Sequence, residues 1–119
     1  MNIVIDSDDE LFLQRVKNVV EDHLSDTHFT IDQLAGEVAA SPRKIRRKLR
    51  QLTNLSPAGF IRFMRMQRAA ELLMAQAGSV SEIALMVGYR DSVSFSHVFQ
   101  QIFGIYPSKY AGTTANESP

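Results

Sequence analysis

The chain has 119 residues, is 45% hydrophobic and contains no cysteine. That length suits one compact domain or two small lobes; the missing thiols exclude disulfides and thiolate chemistry, and no run of ~20 apolar residues exists to span a bilayer. Thirteen bases and thirteen acids cancel to zero formal charge, which excludes a globally basic nucleic-acid binder. The distribution is lopsided, however. Residues 1–37 hold nine acids against Arg15 and Lys17, residues 38–70 hold nine bases and no acid, and residues 71–119 hold four acids against Arg90 and Lys109. A purely basic middle stretch is an electrostatic footprint.

Residues 1–8 read as a disordered start or the stub of a linker, with no basic opening or long apolar stretch to mark a secretory leader. Residues 9–29 form an N-terminal helix and connector: Leu13, Val16, Val20 and Leu24 fall at helical spacing over Asp9 to Leu24. A second helix covers Ile31 to about Ala39. Ser41-Pro42 places serine at an N-cap and proline at the first helical position, opening a third helix to about Leu52. Ser56-Pro57 repeats that signal and opens a long helix to about Gln76, apolar around most of its circumference and so expected to be buried on several sides. Its polar stripe is Arg62, Arg65 and Arg68, and Gly78 is expected to stop it. Helices over Val80 to Val87 and Ser92 to Phe103 follow, Gly104 stops the second of them, and Pro107 to Tyr110 adds a short turn. Residues 112–119 read as a disordered tail. No strand pattern appears, so the fold class is all-α, with about seven helices.

The order contains a repeat. Ile31, Ala35 and Val38 recur as Val80, Ala84 and Val87, an offset of 49. Ile45, Leu49, Leu52, Leu55, Pro57 and Phe60 recur as Phe95, Phe99, Ile102, Ile105, Pro107 and Tyr110, an offset of 50. Thr30-x-x-Gln33 and Ser79-x-x-Glu82 both fit a helix-capping box. Residues 30–56 and 79–111 are therefore two copies of one two-helix unit, joined by a linker helix in 57–78.

In copy one, Ile45, Leu49 and Leu52 share one face of the third helix at about 100° per residue. Arg43, Arg46, Arg47 and Arg50 share the opposite face, flanked by Lys44 and Lys48. A short helix, a tight turn and this helix make a helix-turn-helix, whose second helix enters the major groove with its N-terminal residues against base edges. Arginine's planar fork pairs with guanine and its charge neutralises phosphate. A solvated basic face is the plainer reading, but such faces interleave acids at i+4, and none lies within four residues of these arginines. In copy two, Phe95, Phe99, Ile102 and Phe103 make the buried side, and Val93, Ser96, His97 and Gln100 take the outward side with histidine as its single titratable group.

The stretches Ser41-Pro42 through Arg47 to Leu55-Ser56-Pro57, Arg65 to Ala69 with Leu72-Leu73, Val80 to Ala84 with Val87-Gly88-Tyr89, Ser94-Phe95-Ser96 with Phe99, and Phe103-Gly104-x-x-Pro107-Ser108-x-Tyr110 resemble the AraC/XylS-type DNA-binding domain. The resemblance covers about residues 30–111. It implies two helix-turn-helix subdomains joined by a long helix, with both recognition helices of a monomer in successive major-groove segments on one side of double-stranded DNA. Carried over by position, base-facing candidates are Arg43, Arg46 and Arg47, with Lys44 beside them and Arg50 nearer the backbone. In copy two they are Ser92, Val93, Ser96 and His97, with Gln100. His97 stands where arginine is usual, and Gln100 and Gln101 replace basic residues. Asn54 stands where copy two has Gly104. The segment Asp9 to Phe29 also resembles the helix that precedes this domain in two-component response regulators and hybrid sensor kinases. That implies a sensor, receiver or dimerisation domain elsewhere in a longer bacterial chain, with RNA polymerase a candidate partner.

No enzyme signature is present: no catalytic residue, metal site or cofactor is expected, and the five methionines read as core filler. Arg65 and Arg68 are candidates for phosphate contact or for pairing with Glu71 and other acids. A cytoplasmic location without membrane contact is expected. The competing reading is a basic helical module for an acidic protein partner or RNA.

Overall fold

The computed structural model describes residues 7–110; the expected tail at 112–119 and all but Ser7 and Asp8 of the expected disordered start lie outside them. Six helices follow in order: α1 Ser7–Asp22, α2 Ile31–Val38, α3 Pro42–Thr53, α4 Pro57–Met74, α5 Val80–Met86 and α6 Ser92–Phe103. A seventh, single helical turn covers residues 107–110, and no strand occurs among the described residues. The helices form two compact units. Among the described residues, the first comprises those from Ser7 to His23 and from His28 to Ile61, and the second those from Leu24 to Thr27 and from Arg62 to Tyr110.

In the first unit, α1, α2 and α3 pack on one another, burying Val16 and Val20, Leu34, Ala35 and Val38, and Ile45 and Leu49. Helix α1 starts at Ser7, two residues ahead of the expected Asp9, because Asp8, Asp9 and Glu10 all favour the positive end of a helix dipole. It is fastened to its unit by polar links. The Arg15 guanidinium donates to Val38 O at 2.7 Å, Lys48 Nζ pairs with Asp9 at 2.8 Å, and His23 Nε2 pairs with Glu37 at 2.6 Å. The His23 ring also stacks on Phe29, centroids 4.4 Å apart.

The second unit is built on Met66, Ala69 and Leu73 of α4, Ile83 and Ala84 of α5, Val87, and Phe95 and Phe99 of α6. Phe99 lies 4.7 Å from Phe103 and 5.4 Å from Tyr110 between ring centroids, the latter edge-on. Such pairs add about 0.5–1.5 kcal/mol to the apolar burial. Helix α4 thus begins in one unit and supplies core to the other. It is less buried than its composition suggests: Phe63 and Met74 are 38% and 52% exposed. It also ends at Met74 rather than at Gln76, and Gly78 is not its stop. Gln76 takes the left-handed conformation (φ 53°), and Ala77 N donates back to Leu72 O at 3.0 Å.

The repeat is visible in the hydrogen bonds. Both capping boxes form: Thr30 with Gln33, and Ser79 with Glu82. Both first helices close alike, Ala40 N donating to Ala35 O at 3.0 Å and Tyr89 N to Ala84 O at 2.9 Å. The left-handed residue is Ala39 in one (φ 57°) and Gly88 in the other (φ 87°). Both second helices have 12 residues. They end on left-handed Asn54 and Gly104, whose N–H groups return to Arg50 O and Gln100 O. Matching Ala40 to Tyr89 and Ser41 to Asp91 makes Arg90 the extra residue that moves the offset from 49 to 50.

Candidate nucleic-acid interface

Helix α3 is aimed by its ends and its core. Ser41 Oγ accepts from Lys44 N at 3.1 Å, Pro42 occupies the first turn, and Ile45 and Leu49 are fully buried. This rotation leaves Arg43, Arg46, Arg47 and Arg50 exposed on the opposite side. They line two shallow grooves. One, of about 320 Å³, is formed by Ser41, Arg43, Lys44 and Arg47. The other, of about 370 Å³, is formed by Ile31, Arg46, Arg50 and the start of α4 at Ser56, Pro57 and Ala58. Three of the nearby cations have intramolecular duties that the sequence did not announce. Lys44 Nζ lies 5.8 Å from the centre of the Phe12 ring, Lys48 is paired with Asp9, and Arg50 donates to Asn54 O at 3.0 Å, closing the end of α3. Arg43, Arg46 and Arg47 carry the outward charge.

In α6 the buried Phe95 and Phe99 turn Val93 and His97 outward. Val93 is 66% exposed; Ser92, Ser96 and Gln100 are half-buried. The helix opens on Asp91, which sequence reasoning passed over. Asp91 Oδ1 accepts from Ser94 N at 2.7 Å and Oδ2 from Ser94 Oγ at 3.2 Å. The bond from the Ser94 backbone holds the carboxyl below its ordinary range. Its signal was the Asp-x-x-Ser spacing, hidden by expecting the helix to open at Ser92 without a cap.

Arg65 and Arg68 part company. Arg65 is turned inward: its guanidinium donates to Asp26 O at 2.6 Å, and its Nε is buried without a hydrogen-bond partner. Burial pulls the group below its ordinary value, with Tyr89 and Asp26 acting the other way. In this placement Arg65 ties the connector at Asp26 to α4 within the second unit. Gly88 belongs to the same knot, since a Cβ there would sit 2.4 Å from Leu24 O and 2.9 Å from Arg65 Cζ. Arg68 is exposed and pairs with Glu71 at 3.1 Å. Among the described residues no group of three histidines, cysteines or carboxylates is placed to hold a metal, and no helix is long and apolar enough to cross a membrane.

Two helix-turn-helix units, each with a 12-residue second helix whose outward face is clear of the core, define the class as a double helix-turn-helix module. Residues 34–113 match the model of the helix-turn-helix domain family, and the chain belongs to that family. It is 33% identical over 108 residues to histidine kinase P4 of Formosa agariphila, a match covering 91% of this chain and 8% of the kinase. The C-terminal domain of AraT, a response regulator from Geobacillus stearothermophilus, is 29% identical and superposes with a TM-score of 0.77 over 86% of this chain and 84% of that one. The DNA-binding domain of AdpA, a global transcriptional factor solved in complex with a target DNA, is 28% identical with a TM-score of 0.79 over 91% and 96%. The chain spans between 8% and 38% of the length of the full-length relatives it matches.

Proposed function

We propose that the chain is the sequence-specific, double-stranded DNA-binding module of a bacterial transcription regulator, and that α3 and α6 are its recognition helices. One observation carries this reading. Arg43, Arg46 and Arg47 stand exposed on the N-terminal half of the second helix of a helix-turn-helix, opposite a fully buried Ile45 and Leu49. That is the part of the motif that meets base edges, and arginine there pairs with guanine O6 and N7. The groove between Arg46, Arg50 and the start of α4 suits a backbone phosphate, because a helix N-terminus and two guanidiniums converge on it. In α6, Val93, Ser96, His97 and Gln100 offer apolar and hydrogen-bonding contacts to bases with little fixed charge. Arg68 remains a candidate phosphate contact if Glu71 releases it.

The match to a small share of a histidine kinase and the response-regulator neighbour support an output module of a longer cytoplasmic signalling chain, with α1 as its entry. RNA polymerase is the partner a transcription activator of this kind would engage. The module has no catalytic duty in this reading.

Selection of bound sequences from a random duplex pool tests the reading. The expected result is two short conserved motifs, one per recognition helix. A pool that stays random through successive rounds would overturn sequence-specific binding.

A further inference from the structure

Copy two of the repeat carries a carboxylate where copy one carries a hydroxyl. Ser41 and Asp91 hold equivalent places, and each is the N-cap of a 12-residue helix. Their mechanical task is the same, since each accepts from the backbone N–H three residues on, at 3.1 Å and 2.7 Å. Their electrostatic effect is opposite. The first turn of a helix carries partial positive charge that attracts phosphate. Ser41 leaves that charge in place, and Arg43, Arg46 and Arg47 add to it. Asp91 opposes it, and the outward face of α6 carries no arginine or lysine, Arg90 lying just ahead of the cap. Asp91 is exposed, and its two oxygens retain lone pairs after the bonds from Ser94.

We propose that Asp91 is a specificity-determining residue, whose carboxylate repels phosphate at the start of α6 and suppresses binding to DNA that does not match that helix. The proposal rests on the DNA-binding reading above. A carboxylate at the leading end of a recognition helix lies within a Debye length of backbone phosphates, about 8 Å at physiological salt, so solvent ions do not fully screen it. On unmatched DNA no base contact offsets that repulsion. On a matched site the same oxygens accept from an amino group of cytosine or adenine in the major groove. The residue therefore widens the gap between matched and unmatched affinity while lowering both from what a neutral cap would give.

The test uses the 119-residue chain, a random-sequence duplex and a duplex recovered by selection with the unaltered chain, each titrated across a salt series. Asp91→Asn and Asp91→Ser both keep a strong N-cap, so thermal unfolding serves as the folding control and the serine variant stands in if the asparagine one is loosened. Both variants are expected to bind the random duplex about three- to tenfold more tightly, with a salt slope steeper by up to about one. The ratio of selected to random affinity is expected to fall. Ser41→Asp installs the charge in copy one and should move random binding the other way. If the neutral variants match the unaltered chain in affinity and slope on random duplex, the proposal is wrong while DNA binding stands. If the unaltered chain binds neither duplex at low salt, the DNA-binding reading itself fails.

Discussion

In the proposed DNA-binding reading, base recognition by the first unit turns on Arg47. It is exposed on the outward face of α3 and shares a groove with Ser41, Arg43 and Lys44. Arg47→Ala is expected to weaken binding to a selected site by about 1–3 kcal/mol and to relax the preference at one or two base positions. Competition titrations against single-base variants measure this; an equal loss on every sequence would restrict Arg47 to phosphate. A second residue-scale contrast separates the two copies of the turn. Ala39 and Gly88 are equivalent and both left-handed, but only Gly88 faces Leu24 O at 2.4 Å from where a Cβ would lie. Gly88→Ala should therefore destabilise the chain by more than about 2 kcal/mol, from left-handed strain plus the clash. Ala39→Gly should be neutral or stabilising by up to about 1 kcal/mol, relief of that strain being partly offset by added backbone freedom. Chemical denaturation of the two variants distinguishes these outcomes, and equal effects would contradict the assignment.

At the scale of the element, the helix starts were legible because capping chemistry is local. Thr30-x-x-Gln33, Ser79-x-x-Glu82 and Ser41-Pro42 each announce a helix start within two to four residues, and each forms. Core faces were legible for the same reason: the period of Ile45 and Leu49, or of Phe95 and Phe99, needs no knowledge of the partner helix. What periodicity could not reveal were links between residues far apart in sequence. Arg65 to Asp26, Lys48 to Asp9 and Arg15 to Val38 span 39, 39 and 23 residues, and the first two spend cations of the basic stretch inside the fold. The Ser79–Glu82 capping box also sets an acid dependence. Bonds from Ser79 hold the Glu82 carboxyl below its ordinary value, as Ser94 does for Asp91. A carboxylate depressed in the folded state stabilises fully above its unfolded pKa, and that contribution is lost as pH falls through the folded one. The unfolding midpoint should therefore drop on acidification below the ordinary carboxylate range. Glu82→Gln, which keeps the box, should drop less steeply over that window; an unchanged profile would show that the box is not linked to protonation.

Across the whole molecule, the zero net charge conceals a division of labour. The scaffold is duplicated down to its turn hydrogen bonds, while the surfaces are not. The first unit turns arginine outward and the second turns valine, serine, histidine and glutamine outward behind an acidic cap. The first should supply the electrostatic hold and the second the discrimination. The most direct measurement is the salt dependence of binding to random and selected duplexes by the unaltered chain. Several arginine–phosphate contacts predict a straight, steep fall of log affinity with log salt, with the selected duplex bound more tightly throughout. Absence of binding to either duplex at low salt, or binding indifferent to salt, would contradict the account.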